Sequence, residues 1–224
     1  MDNKKQSLKE AFEEALGYYK KKDFKNVGII CYKILSINPD HFDSLSLLAN
    51  TFAINKNFSK AKELLEKAIK IQPENTTILN NLGTAYRESG DIEKAMIFYQ
   101  KVLKINSNHV NANYNLGLVF YGLKEIRKAK EYLEKTVKIQ PNYAFAHYSL
   151  GNLQKELNEL EKAKESYLQA IKIRPDFASA QNNLGLVLSN LGDPYSAMEC
   201  YKKTLELEPK HAGAYNNLGK LYTE

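Results

Sequence analysis

Long apolar runs are missing from this 224-residue chain. No stretch approaches the roughly 18 uncharged apolar residues of a membrane span, and the opening segment, residues 1–10, is polar with no apolar run behind it. These absences argue against a membrane or secreted protein and predict a cytoplasmic one. Proline is scarce as well: six residues, none inside an apolar stretch, in a text dominated by Lys, Glu, Leu and Ala. Such a composition predicts helices and excludes an all-β fold. Only two cysteines occur, Cys31 and Cys200, far apart and embedded in apolar helical text. Buried, reduced thiols are expected of them rather than a disulfide. The chain also has no Gly-rich phosphate loop, no G-x-S-x-G elbow, no H-E-x-x-H and no C-x-x-C pair. No catalytic residue, no metal site and no cofactor is therefore expected, and the protein reads as a non-enzyme.

What is present suffices for a folded chain. Apolar residues make up 43% and charged residues 26%, which excludes wholesale disorder. The formal charge is +6, but most of the cations are Lys mixed with Glu, the mark of a solvated helical face rather than a nucleic-acid surface. Carboxylate pairs such as Glu13-Glu14 and Glu63/Glu66 follow the same reading, with Lys62, Lys67 and Lys70 as neighbours.

Self-comparison reveals a fixed period. Pro39, Pro73, Pro141, Pro175 and Pro209 recur at a spacing of 34, with Ser107 in the one gap. Leu48, Leu82, Leu116, Leu150, Leu184 and Leu218 keep the same phase, each followed by a small residue: Ala49, Gly83, Gly117, Gly151, Gly185 or Gly219. Three places later stand Phe52, Tyr86, Phe120, Leu188 and Tyr222, one helical turn on and on the same face, a pattern that Gln154 interrupts. A second amphipathic stretch carries Ala61, Ala95, Ala129, Ala163 and Ala197, with Leu65, Tyr99, Leu133, Tyr167 and Tyr201 four residues on. Breaker and capping residues separate the two stretches, as in Lys22-Asp23, Lys56-Asn57, Gly90-Asp91 and Gly192-Asp193-Pro194. Each repeat is thus a helical hairpin that cannot bury its apolar face alone, and stacking of neighbours supplies the missing partner.

In Leu82-Gly83-x-x-Tyr86, Ala95-x-x-x-Tyr99 and the closing prolines, the chain resembles the tetratricopeptide repeat (TPR) family. The resemblance implies an all-α, right-handed superhelical solenoid of tandem helix-turn-helix repeats. The expected boundaries are a tail at 1–7, six repeats at 8–41, 42–75, 76–109, 110–143, 144–177 and 178–211, and a final stretch, 212–224, that is either the first helix of a seventh repeat or a capping helix. Repeat one, with Glu14 and Val27 at the usual Leu and Ala places, reads as a cap. The last stretch keeps Tyr215, Leu218, Gly219 and Tyr222 in repeat form, which reads as a chain cut from a longer one or an end that pairs with another copy.

Family resemblance also places the first helix of each repeat on the concave face. Just before each first-helix Leu stand Asn81, Asn115, Ser149, Asn183 and Asn217, one per repeat. Asn is a mediocre helix former, so this series, expected to face solvent, suggests a ladder of amides that match the donor and acceptor of a peptide unit. Neighbouring inward places add Asn80, Asn182, Asn216, Asn50, Asn111 and Asn152, together with Tyr114, Tyr148, Phe145, Tyr121, Thr84 and Arg87. An Asn/Lys/Ile-rich coding bias that merely hydrates the groove is the alternative. The ladder is similar to one in the repeat domain of O-linked N-acetylglucosamine transferases, which implies backbone-directed recognition but no transferase. A chaperone-tail clamp fits poorly, because Ser46 and Tyr148 stand where it needs Lys. His41, His109 and His211 share one phase but lie two and three repeats apart, too far for one metal. The expected function is a scaffold that binds an extended peptide or partner segment, or alternatively the substrate-binding part of a larger enzyme such as a protein glycosyltransferase or sulfotransferase. Protein or peptide partners are expected, with no nucleic acid and no membrane, and self-association through the C-terminal end is a further expectation.

Overall fold

Each period of the sequence folds as two helices because its apolar residues recur every three or four positions and its polar caps interrupt them. The computed structural model describes residues 2–222, and these contain thirteen helices and no strand. In chain order they are α1 (Asp2–Lys20), α2 (Phe24–Ile37), α3 (Phe42–Ile54), α4 (Phe58–Ile71), α5 (Thr76–Glu88), α6 (Ile92–Ile105) and α7 (Val110–Gly122). They continue with α8 (Ile126–Ile139), α9 (Ala144–Glu156), α10 (Leu160–Ile173), α11 (Ala178–Asn190), α12 (Pro194–Leu207) and α13 (Ala212–Leu221). Residues 2–7, expected as a tail, are helical and belong to α1. None of the described helices is long and apolar enough to cross a membrane.

Local chemistry sets the helix boundaries. Between the two helices of a hairpin one residue takes a left-handed conformation: Lys22, Lys56, Lys124 and Asn158 at φ near 60°, and Gly90 and Gly192 at 86° and 82°. The following residue caps the second helix. Asp23, Asn57, Asp91 and Asp193 accept from the backbone N–H three residues on, at 3.0–3.2 Å. Second helices stop two residues before the recurrent proline, and the intervening Asn38, Gln72, Gln140, Arg174 and Glu208 leave the helical region, at φ −129° to −135° and ψ 82° to 92°, as proline requires of the residue ahead of it. Asn106 adopts the same conformation ahead of Ser107, where its Oδ1 accepts from the Asn108 N–H at 3.0 Å.

The chain divides into two compact units, one up to Ala112 and one from Asn113 on. Within the first, consecutive helices from α1 to α6 pack in order, and α1, α3 and α5 also touch one another in turn. Within the second the same holds from α8 to α13, with α9, α11 and α13 in contact. The small residue of each first helix is the contact point. A Cβ on Gly83, Gly151 or Gly185 would stand within 2.9 Å of the ring of Tyr99, Tyr167 or Tyr201, and one on Gly117 would meet Leu133 at 2.9 Å. Each of these second-helix side chains is fully buried, worth roughly 1.5–3 kcal/mol. Nothing lies within 4 Å of the corresponding place on Gly219, and Tyr215 and Tyr222 of the same stretch are 57% and 66% exposed.

The irregular position in the repeat is also accounted for. Tyr86 and Phe120 stack on Phe98 and Tyr132 at 5.5 Å, whereas in repeat five Gln154 accepts from Ser166 Oγ at 2.7 Å. An aromatic pair has been exchanged for a satisfied polar pair. Cys31 is buried and Cys200 partly so, both are free thiols, and burial pushes each up to about 11.

Candidate peptide-binding face

First helices carry the predicted amides, and the structure joins many of them across repeats. Asn81 Nδ2 donates to Asn50 Oδ1 at 3.0 Å, and Asn183 Nδ2 to Asn152 Oδ1 at 2.8 Å. Asn217 Nδ2 donates to Asn182 Oδ1 at 3.2 Å, and Asn182 Nδ2 in turn to Asn183 Oδ1 at 3.3 Å. Tyr114 Oη and Ser149 Oγ lie 3.4 Å apart. The contacts between repeats join residues 31 or 35 apart, one period less three residues or plus one, which brings neighbouring first helices side by side.

The ladder is therefore not a row of solvated side chains. Asn115 and Ser149 are only 8% and 6% exposed, and Asn80 and Asn182 are equally buried. Their small size and position at the first-helix contacts put them between helices rather than on the rim. Asn50, Asn81, Asn152, Asn183 and Asn217 are half-buried, while Asn111 and Asn216 are exposed. The inter-repeat bonds leave specific capacity unused. Among the described residues Asn50 and Asn152 donate to no partner, and the carbonyls of Asn81 and Asn217 accept from none. A carboxamide pair of this kind offers both a donor and an acceptor, fixed in place by the bond between its two members.

Tyrosines of the second helices belong to this face, which the sequence pattern alone did not indicate. Tyr99 and Tyr167 pass over the glycine of their own hairpins, and their hydroxyls emerge beside the residue that follows it. Tyr99 Oη donates to Thr84 Oγ1 at 3.2 Å, and Tyr167 Oη to Asn152 Oδ1 at 2.7 Å. Asn152 Oδ1 thus accepts from both Tyr167 and Asn183. The readable signal was a Tyr sixteen residues after the Gly, as in Gly83/Tyr99 and Gly151/Tyr167. Burial raises the Tyr99 and Tyr167 hydroxyls, so both remain protonated donors.

Apolar surface flanks the amides in each unit. In the first, a pocket of about 220 Å³ is lined by Asn50 and Asn81 together with Tyr19, Ile54 and Phe58. In the second, Tyr148 packs on Phe177 at 4.8 Å and on Tyr167 at 6.0 Å, and Tyr114 on Tyr143 at 5.0 Å. Phe145 is 43% exposed, and the Arg174 guanidinium covers both it and Phe177 at 5.3 and 5.1 Å. Tyr121 and Arg87 are held by carboxylates instead: Tyr121 Oη donates to Glu156 at 2.7 Å and Arg87 pairs with Glu88 at 2.7 Å. His41, His109 and His211 act as helix caps, their Nδ1 atoms accepting from the N–H of Ser44, Ala112 and Ala214 at 3.0–3.2 Å.

Family profiles described as tetratricopeptide repeat match residues 42–75, 64–96, 110–143 and 178–211, and one described as TPR repeat matches 83–124 and 154–192. The chain belongs to the tetratricopeptide repeat family. Among solved structures this TPR protein is similar to MamA, with 28% identity and a TM-score of 0.63 over 74% of this chain and 96% of that one. Pseudomonas aeruginosa PilF is 20% identical with a TM-score of 0.84, covering 97% of this chain and 99% of that one. YrrB, described as a TPR protein with an unusual peptide-binding site, is 20% identical with a TM-score of 0.62, over 83% and 96% of the two chains. No curated protein matches the chain. The architecture is that of a protein-interaction scaffold.

Proposed function

We propose that this TPR protein is a cytoplasmic, non-catalytic scaffold whose first-helix face binds an extended peptide or a partner's segment. The observation that carries the reading is the pairing of amides across repeats. Each bond between Asn50 and Asn81, or Asn152 and Asn183, uses one donor and one acceptor and orients the rest. An extended chain presents a donor and an acceptor at every peptide unit and can take up what remains. Asn81, Asn115, Ser149, Asn183 and Asn217 form the ladder in this reading, and Asn80, Asn182, Asn216, Asn50, Asn111 and Asn152 extend it. Tyr114 and Tyr148 add apolar contact for side chains. Because helices hold these groups in place, little ordering cost falls on the receptor.

The test compares peptides selected from a display library on the natural chain and on a variant carrying Asn→Ala at Asn81, Asn115, Asn183 and Asn217, with folding checked by circular dichroism. At least tenfold weaker binding to the folded variant is the expected result. Unchanged affinity for every selected peptide would remove the amide ladder from the binding site.

A further inference from the structure

The opposite, second-helix face of the first unit holds a groove of about 840 Å³ between α2 and α4, with α3 beneath it. Its floor is Leu45, Phe52 and Leu64. Tyr32 of α2 and Ile71 of α4 form apolar walls, 51% and 38% exposed. The next interval along, between α4 and α6, is built on the same repeat but is narrower: a pocket of about 460 Å³ remains at its proline end, lined by Pro73, Leu79 and Ile105 with Lys101 and Lys104, and its other end is filled. There Lys62 reaches over the Tyr86 ring, 5.0 Å from its centre, and donates to Ser89 Oγ at 3.1 Å. Glu66 accepts from Tyr86 Oη, and Phe98 stacks on the Tyr86 ring at 5.5 Å.

Four of the groups that fill that end are replaced in the α2/α4 groove. One period earlier, Lys62 becomes Gly28, Glu66 becomes Tyr32, Tyr86 becomes Phe52, and Phe98 becomes Leu64. Nothing lies within 4 Å of where a Gly28 Cβ would be. Phe52 has no hydroxyl with which to span the gap, no ring among the described residues stacks upon it, and Lys60 lies 5.2 Å from its centre. The α2/α4 groove is thus the wider of the two, with four substitutions at the end that its neighbour fills.

Its lining carries three lysines and two carboxylates. Lys60, Lys67 and Lys70 line the α4 wall over roughly 15 Å of helix. The groove's own carboxylates are Glu63, which pairs with Lys67 at 2.8 Å, and Asp40 at the loop end. Lys60 and Lys70 take part in no ion pair among the described residues.

We propose that the α2/α4 groove is a second docking site, independent of the first-helix face, for a short acidic segment of a partner protein. A bulky apolar side chain of that segment rests on Phe52 and Leu64 beside Tyr32, and its carboxylates meet Lys60 and Lys70. Apolar burial supplies affinity, and the charges supply register and salt dependence.

The test selects peptides from a random twelve-residue display library on the full chain and measures the enriched ones, fluorescein-labelled, by anisotropy. One variant narrows the groove with the residues of its neighbour, Gly28→Lys, Tyr32→Glu and Phe52→Tyr; a second, purely superficial one carries Lys60→Glu and Lys70→Glu. Enriched peptides that combine acidic and aromatic or Leu residues are expected, bound at least tenfold more weakly by either variant and by the natural chain in high salt. The Asn→Ala ladder variant is expected to bind them normally, which separates this site from the first. Absence of such peptides from the enriched pool, equal binding by both groove variants, or loss confined to the ladder variant would overturn the proposal. Should the triple variant not fold, the lysine pair alone decides.

Discussion

Replacing Gly185 by Ala tests whether the glycine series is a packing device. A Cβ at Gly185 would stand 2.5 Å from Tyr201 Cε1, 2.9 Å from Cδ1 and 3.0 Å from Cζ. The ring is 1% exposed and packed among Leu184, Val187 and Ala214, so it has little room to withdraw. Overpacking of this kind costs about 1–3 kcal/mol, and a contact so short belongs toward the upper end. Alanine's better helix propensity returns about 1 kcal/mol, which leaves a net loss of about 1–2 kcal/mol. Gly219 offers the control, because nothing lies within 4 Å of its Cβ position and Gly219→Ala should gain up to about 1 kcal/mol. Repeat two supplies the rescue: it already pairs Ala49 with Leu65, both buried. Tyr201→Leu on the Gly185→Ala background should therefore cost less than the sum of the single changes, by about 1 kcal/mol or more. Urea melts followed by far-ultraviolet circular dichroism read all four variants. If Gly185→Ala melts like Gly219→Ala, or if Tyr201→Leu gives no rescue, the ring-over-glycine contact does not limit the packing.

Three other outcomes follow from local chemistry. Lys56 holds φ at 57°, and Lys56→Gly should raise the melting midpoint by relieving about 1 kcal/mol of left-handed strain; an unchanged or lower midpoint would show that the turn is not strained. His109 must be neutral at Nδ1 to accept from the Ala112 N–H, and burial holds its pKa below the unfolded value of 6.5. Its contribution is complete above pH 6.5 and is lost as pH falls through the lower folded value, so His109→Asn should flatten that part of a stability–pH curve. Burial pushes the Cys31 thiol from 9.0 up to about 11, so the folded state disfavours thiolate. Stability should be full below pH 9.0 and decline toward about pH 11, and Cys31→Ala should diminish that decline. In native buffer an alkylating reagent should modify Cys31 only as fast as the chain opens, and immediate labelling would contradict the burial.

How much of this was readable in advance differs from residue to residue. The closing prolines and the Asp and Asn caps act within a few residues of themselves, and the helix boundaries fall where those residues put them. Glycine followed by an aromatic at a fixed interval was likewise visible, because it repeats. The tail expected at 1–7 was not, since only the structure shows residues 2–7 continuing α1. The histidines were legible as a periodic series but not as caps, for which a neutral Nδ1 must meet the N–H three residues on.

The sequence by itself determined that the chain is a tandem array of helical hairpins, because periodicity and capping are local properties that each repeat restates. It also determined which residue types recur on the first helices. Tertiary structure decided what those residues do there. It buried Asn115 and Ser149, spent one side of each amide pair on the neighbouring repeat, and brought Tyr167 through the gap at Gly151 to Asn152. It likewise decided that Gly28, Tyr32, Phe52 and Leu64, dispersed over three helices, together leave one groove wider than the next. Whether a polar side chain is available to a ligand depends on which neighbour across the helix contact has already taken its hydrogen bonds, and that neighbour lies some thirty residues away in the chain.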